Sequence, residues 1–136
     1  MSRILAVDYG IKRSGLAITD PMQIIASGLD TVETSNIFKY LDKLFANEVI
    51  TTVVVGEPKQ LDGTASQSAP LIEDFLQKFK SNYPRIIVVR IDERFTSKIA
   101  FQTMIDSGLS KKKRQNKALV DEIAATIMLQ DYLASK

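Results

Sequence analysis

Three strand-like segments, 3–7, 15–19 and 24–30, open the chain, and the connections between them are too short to hold a helix. Strands joined so tightly run antiparallel, because a parallel return needs a crossover of about a dozen residues or more. The apolar period then changes. Thr34 or Ser35 suits a helix N-cap, and Ile37, Leu41, Leu44 and Phe45 recur on one helical face as far as about residue 45. Residues 51–56, Thr-Thr-Val-Val-Val-Gly, are apolar without alternation, the pattern of a strand covered on both faces. Ile72, Phe75, Leu76 and Phe79 mark a helix over 69–80, ended by Asn82-Tyr83-Pro84, and 85–91 reads as another strand. A helix over about 96–106, stopped by Gly108, and a last helix over 117–133 complete the pattern. Each later strand follows a helical crossover and is therefore parallel to its neighbours. The expected class is α/β: a mixed five-stranded sheet, three antiparallel strands then parallel strands, with helices on both faces. Its 136 residues fit a single domain, 1–136, large enough to bury a core without staples.

Composition narrows the chemistry. There is no cysteine and no histidine, which excludes disulfides, thiolate metal sites and the usual general base. Carboxylates are then the strong metal ligands that remain, and they favour hard cations such as Mg²⁺ or Mn²⁺. The sequence predicts no signal peptide and no membrane span, so a cytoplasmic protein is expected. The net charge of +2 conceals an asymmetry, because Lys111, Lys112, Lys113, Arg114 and Lys117 stand together with no acid among them. Without those five the chain has 13 basic against 16 acidic residues. The cluster is either a solvated loop or a set of phosphate contacts.

The acids stand where elements end or face inward. Asp8 closes the apolar run Ile4-Leu5-Ala6-Val7, where a carboxylate costs free energy unless a partner or cation stabilises it. The Gly-bounded turn that follows carries Lys12 and Arg13. Asp92 and Glu93 close the last strand, next to Arg94. Asp121 shares a helical face with Ala124, Ala125 and Met128, a face that should pack on the sheet, and the two alanines allow close approach. If the first and last strands are near neighbours, Asp8 and Asp92 converge at their carboxyl ends, with Asp121 over them. One or two divalent cations would relieve the repulsion among three carboxylates and stabilise a phosphoryl transition state. Plainer readings exist for each: Asp8 as a turn-former, 92–94 as a local ion pair, and Asp121 as an acid favoured near a helix N-terminus. Asp62-Gly63-Thr64 and Asp20-Pro21 read as turns.

Four ordered motifs resemble one family: D-Y-G-I-K-R-S-G-L-A at 8–17, V-V-G-E-P-K-Q-L-D-G-T at 54–64, D-E-R-F-T-S at 92–97 and D-E-I-A-A-T-I-M-L-Q at 121–130. They are similar to the YqgF family, whose members are also described as RuvX-type Holliday junction resolvases or pre-16S ribosomal RNA nucleases. The resemblance covers nearly the whole chain. It implies a ribonuclease H-like fold and a bacterial, cytoplasmic, metal-dependent nuclease that matures the 5′ end of 16S ribosomal RNA. By position, Asp8, the Asp92-Glu93 pair and Asp121 correspond to the family's acidic motifs. Many relatives have an apolar residue where this chain has Glu57, whereas related resolvases place a catalytic glutamate near the end of that strand. Glu57 either joins the site or is a surface acid, the reading preferred here.

The expected function is therefore phosphodiester hydrolysis in structured nucleic acid. Asp8, Asp92 and Asp121 are the catalytic candidates, and with Glu93 they are the metal ligands for Mg²⁺ or Mn²⁺. Lys12, Arg13, Arg94, Lys111, Lys112, Lys113, Arg114 and Lys117 are the candidate phosphate contacts. The partner is precursor 16S RNA or branched DNA, with the ribosomal subunit as a further candidate, no membrane, and a monomer or homodimer as the acting species. The competing readings are a non-catalytic ribosome-assembly or junction-binding module and an ATP-handling protein. The last is disfavoured because a single domain lacks the second half of an actin-like cleft, and no Gly-rich phosphate loop motif is present.

Overall fold

The computed structural model describes residues 2–57, 69–92 and 117–135, apart from the side chains of Glu57, Asp92, Lys117 and Ala118. The strands are β1 (Arg3–Asp8), β2 (Arg13–Thr19), β3 (Ala26–Glu33), β4 (Ile50–Glu57) and β5 (Ile87–Asp92). A 3₁₀ turn, Thr34–Asn36, leads into α1 (Ile37–Asn47), and the other described helices are α2 (Ala69–Asn82) and α3 (Lys117–Ser135). The sheet order is β3-β2-β1-β4-β5. The first three strands pair antiparallel, and β1-β4 and β4-β5 pair parallel, as the connection lengths require. The expected helix at 96–106 and the basic loop lie outside the described residues.

The period-two geometry of a strand sends alternate side chains to opposite faces, and the two faces differ in volume. Leu5, Val7, Leu16, Ile18, Val53 and Val55 face α1 and α2, which contribute Ile37, Leu41, Ile72, Phe75, Leu76 and Phe79. Ile4, Ala6, Ala17, Ala26 and Val54 face α3, which contributes Ala125, Met128 and Leu129. The second face is mostly small residues, so α3 rides low over β2, β3 and β1. A Cβ added at Gly15 would collide with the backbone carbonyl of Asp121, and one at Gly28 with the side chain of Glu122.

Two expectations need correction. The third strand was expected over 24–30 and is Ala26–Glu33. Ile24 and Ile25 are strongly β-forming by type, but they are exposed and belong to a turn organised by Asp20. Its carboxylate accepts the backbone N–H of Met22 at 3.1 Å, Ile24 at 2.8 Å and Ile25 at 2.7 Å. Gln23 takes a left-handed φ of 59° inside this turn. The helix cap was expected at Thr34 or Ser35; α1 instead follows Asn36, which makes no side-chain cap bond, and the Thr34 hydroxyl reaches back to the β1-β2 connection.

The Asp20 turn is testable. The backbone N–H donors hold its carboxyl below the ordinary aspartate value, chiefly through Ile25. A depressed carboxyl contributes stability that is complete above the unfolded-state pKa and is lost as pH falls through the lower folded value. Asp20→Ala is therefore expected to lower the melting temperature at pH 7. Thermal melts from pH 7 down to pH 2 should show the difference from wild type shrinking in the acid limb; a pH-independent difference would mean that the charge contributes nothing.

Candidate active site

Asp8 is the last residue of β1 and shares the alternation of Ile4 and Ala6, which places it on the α3 face at the carboxyl end of the parallel strands. Its neighbour across the antiparallel ladder is Gly15. The missing side chain there lets the Asp121 carbonyl sit against the strand. One glycine thus abuts both acids, although they are far apart in sequence. Asp8 is half-buried, and Asp121 keeps 26% of its side chain exposed.

Arg13, two residues before Gly15 on β2, points to the same face. Its Nε donates to Asp121 Oδ2 at 2.9 Å, which fixes one carboxylate oxygen and gives the helix a charged contact to the sheet. Lys12, next to it, is exposed. The connection that carries Lys12 is held by residues that were not among the expected site residues. Ser14 is fully buried, and its Oγ lies 2.9 Å from the Thr34 hydroxyl and accepts the Gly10 N–H at 3.4 Å. Thr34 Oγ1 donates to the Gly10 carbonyl at 2.7 Å, and its N–H donates to the Lys12 carbonyl at 3.0 Å. Tyr9 stacks on Phe75 of α2 with ring centroids 4.6 Å apart. Burial, with the Asp74 carboxylate behind it, pushes the Tyr9 hydroxyl above its ordinary range, so the ring stays neutral. A rigid backbone therefore leads into and out of the Asp8–Arg13 turn. The one signal that could have flagged Ser14 is a hydroxyl just before the apolar run Leu16-Ala17-Ile18.

Asp92 ends β5 and is paired in the ladder with Glu57, the last residue of β4. The first and last strands are not adjacent, because β4 lies between them. The backbones of Asp8 and Asp92 thus share the carboxyl end of the sheet about two strand spacings apart, roughly 9–10 Å. The Asp92 side chain, Glu93, Arg94, Lys111, Lys112, Lys113, Arg114 and the Lys117 side chain lie outside the described residues. Among the described residues no group of three acids forms a complete metal site. The donors that are described suit a hard cation in kind: Asp8 is paired with Gly15 in the ladder and Asp121 has its backbone against Gly15, in a chain without thiolate or imidazole ligands.

A mixed sheet in this order, with helices on both faces, is the ribonuclease H-like architecture of the resolvases. The fowlpox virus Holliday junction resolvase matches with a TM-score of 0.53 at 20% identity, covering 98% of this chain and 99% of that one. The T. thermophilus RuvC chain, solved in complex with a Holliday junction substrate, matches with a TM-score of 0.53 at 15% identity, covering 99% of this chain and 98% of that one. At the level of sequence, the profile described as "RuvX: Holliday junction resolvase" matches residues 2–135. A Flavobacterium psychrophilum protein named "Putative pre-16S rRNA nuclease" is 62% identical over 136 residues, covering 100% of this chain and 99% of its own length. A protein of the same name from Bacteroides thetaiotaomicron is 49% identical over 136 residues, again covering 100% of this chain and 99% of its own. The chain belongs to the RuvX family. It is a nuclease, an enzyme that hydrolyses phosphodiester bonds. No helix among the described residues is long and apolar enough to cross a membrane.

Proposed function

We propose that this nuclease matures the 5′ end of precursor 16S ribosomal RNA in the cytoplasm, with Mg²⁺ or Mn²⁺ as cofactor, as part of ribosome biogenesis. The observation that carries the proposal is that Gly15 pairs with Asp8 in the ladder and abuts the backbone of Asp121, whose carboxylate takes Arg13, in a chain 62% identical to a relative named for that RNA. Asp8, Asp92 and Asp121, with Glu93, would hold the cation. A divalent cation there would polarise the phosphoryl group and activate water. Asp8, from a strand end anchored by Tyr9, and Asp121, from a helix seated on Gly15, meet the substrate from fixed backbones, so little reorganisation precedes reaction. Lys12, Arg13 and Arg94 hold the phosphates nearest the cleaved bond. Lys111, Lys112, Lys113, Arg114 and Lys117 hold those flanking it, leading straight into the helix that carries Asp121.

A second reading, cleavage of four-way DNA junctions, is favoured by the description of the family profile. Resolution needs two active sites and therefore a dimer, whereas trimming of one RNA end needs a single site. A cleavage assay on a 16S precursor RNA and a four-way DNA junction separates the two. The expected result is RNA cleavage that requires Mg²⁺ or Mn²⁺ and stops with chelator. Absence of cleavage on both substrates would instead make the chain a binding module.

Replacing Lys111, Lys112, Lys113 and Arg114 with Ala is expected to weaken nucleic-acid binding and flatten its salt dependence. Each lost phosphate contact changes the slope of log affinity against log salt by about 0.7–0.9. The rate on fully bound substrate should change much less. A wild-type salt slope in the quadruple variant would reduce this segment to a solvated connection.

A further inference from the structure

Arg13 Nε and Asp121 Oδ2 are paired at 2.9 Å, and that contact competes with the role proposed for either of them. A carboxylate oxygen engaged by a guanidinium is a poorer cation ligand, and the positive charge beside it repels a divalent ion. A guanidinium engaged by a carboxylate is a poorer phosphate ligand. The backbones cannot separate to release the pair. Arg13 is in ladder register with Glu33 on β3, and α3 is seated on Gly15. The side chains can exchange, however: the Arg13 side chain is 38% exposed and that of Asp121 26%.

We propose that Arg13 is an internal counter-ion that takes the cation's place at Asp121 and transfers to a substrate phosphate when nucleic acid arrives. The inference rests on the nuclease reading above. It makes cation binding and nucleic-acid binding mutually reinforcing: phosphate draws Arg13 away and frees Asp121 for the cation, and the cation frees Arg13 for the phosphate. Reciprocity requires each ligand to tighten the other by the same factor. For a partly exposed ion pair that factor is at most about 5-fold.

The test is a double-mutant cycle read by binding, in EDTA, where no cleavage occurs. Fluorescence anisotropy with a labelled hairpin from the 16S precursor, and in parallel a four-way DNA junction, is measured for wild type, Asp121→Asn, Arg13→Gln and the double variant. Asp121→Asn should tighten binding about 2–5-fold in the wild-type background, and less than about 1.5-fold when Arg13 is already Gln. Glu122→Gln, which removes the same charge one residue away, should tighten it by less than Asp121→Asn. A calorimetric titration with Mg²⁺ and no nucleic acid supplies the other half: Arg13→Gln should bind the cation several-fold more tightly, and Lys12→Gln should not. Additive effects in the cycle, or weaker Mg²⁺ binding in Arg13→Gln, overturn the exchange and leave Arg13 as a fixed orienter of Asp121. Failure of wild type to bind either nucleic acid, in EDTA and with Ca²⁺ in place of Mg²⁺ alike, would overturn the substrate reading, and the exchange with it.

Discussion

Asp8→Asn abolishes phosphodiester cleavage and leaves the fold intact: this is the largest functional effect expected of any single substitution. Asparagine keeps the size of the side chain and removes the charge that would hold a divalent cation. Losing about 4 kcal/mol of transition-state stabilisation lowers the rate roughly a thousandfold. The backbone at this point is held independently of the carboxylate, by the ladder to Gly15 and by the Tyr9–Phe75 stack. Circular dichroism and the melting temperature should therefore stay close to wild type. In metal-free buffer the melting temperature should rise slightly, because a like charge is removed from an acidic site. Single-turnover assays with Mg²⁺ and with Mn²⁺ are the measurement, and near-wild-type cleavage in the purified variant would remove Asp8 from the mechanism.

Gly15→Ala has the largest expected structural effect. The added methyl would overlap the Asp121 carbonyl oxygen and press on the Glu122 backbone nitrogen, and backbone atoms cannot swing aside as a side-chain tip can. The helix must lift from β2, at a cost of about 1–3 kcal/mol. For a domain of this size that corresponds to a fall in melting temperature of roughly 3–15 °C. Activity should fall further than stability explains, because Asp121 moves with the helix, and a misplacement of about 1 Å can cost a hundredfold. Gly28→Ala is the matched control. The obstacle there is the Glu122 side chain, which can rotate away, so a small loss of stability and nearly full cleavage are expected. Equal effects at the two glycines would show that close helix packing, rather than the placement of Asp121, is what Gly15 provides.

Most of the described strands, the described helices and the strand ends where Asp8 and Asp92 stand were legible because they follow from local pattern. The valine run of β4 announced a strand buried on both faces, and the short connections announced the antiparallel start. Asp8 was visible as a charge that ends an apolar run. What depended on partners far along the chain was not legible. The position of β4 between β1 and β5 is set by crossover packing, and no residue in either flanking strand reports it. The Arg13–Asp121 bond joins residues 108 positions apart, so from sequence each looked like a separate ligand for a separate group. Ile24 and Ile25 looked like strand because their type favours one; three N–H bonds to a single aspartate outweighed that preference. Ser14 and Thr34 make sense only as a pair that ties the loop at Gly10 to the start of the 3₁₀ turn.

The unequal volumes of the two sheet faces impose opposite constraints on inheritance. Facing α1 and α2, Leu5, Leu16, Phe75 and Phe79 fill space, and truncation there leaves a void. Facing α3, Ala6, Gly15, Ala17 and Ala26 keep the helix close to the sheet, and at Gly15 a gain in size moves a catalytic candidate. Lineages of this nuclease can drift in bulk on the first side, exchanging one large residue for another as long as the volume is kept. On the second side they have almost no room to drift, so the side that looks least elaborate in composition should be the slower to change.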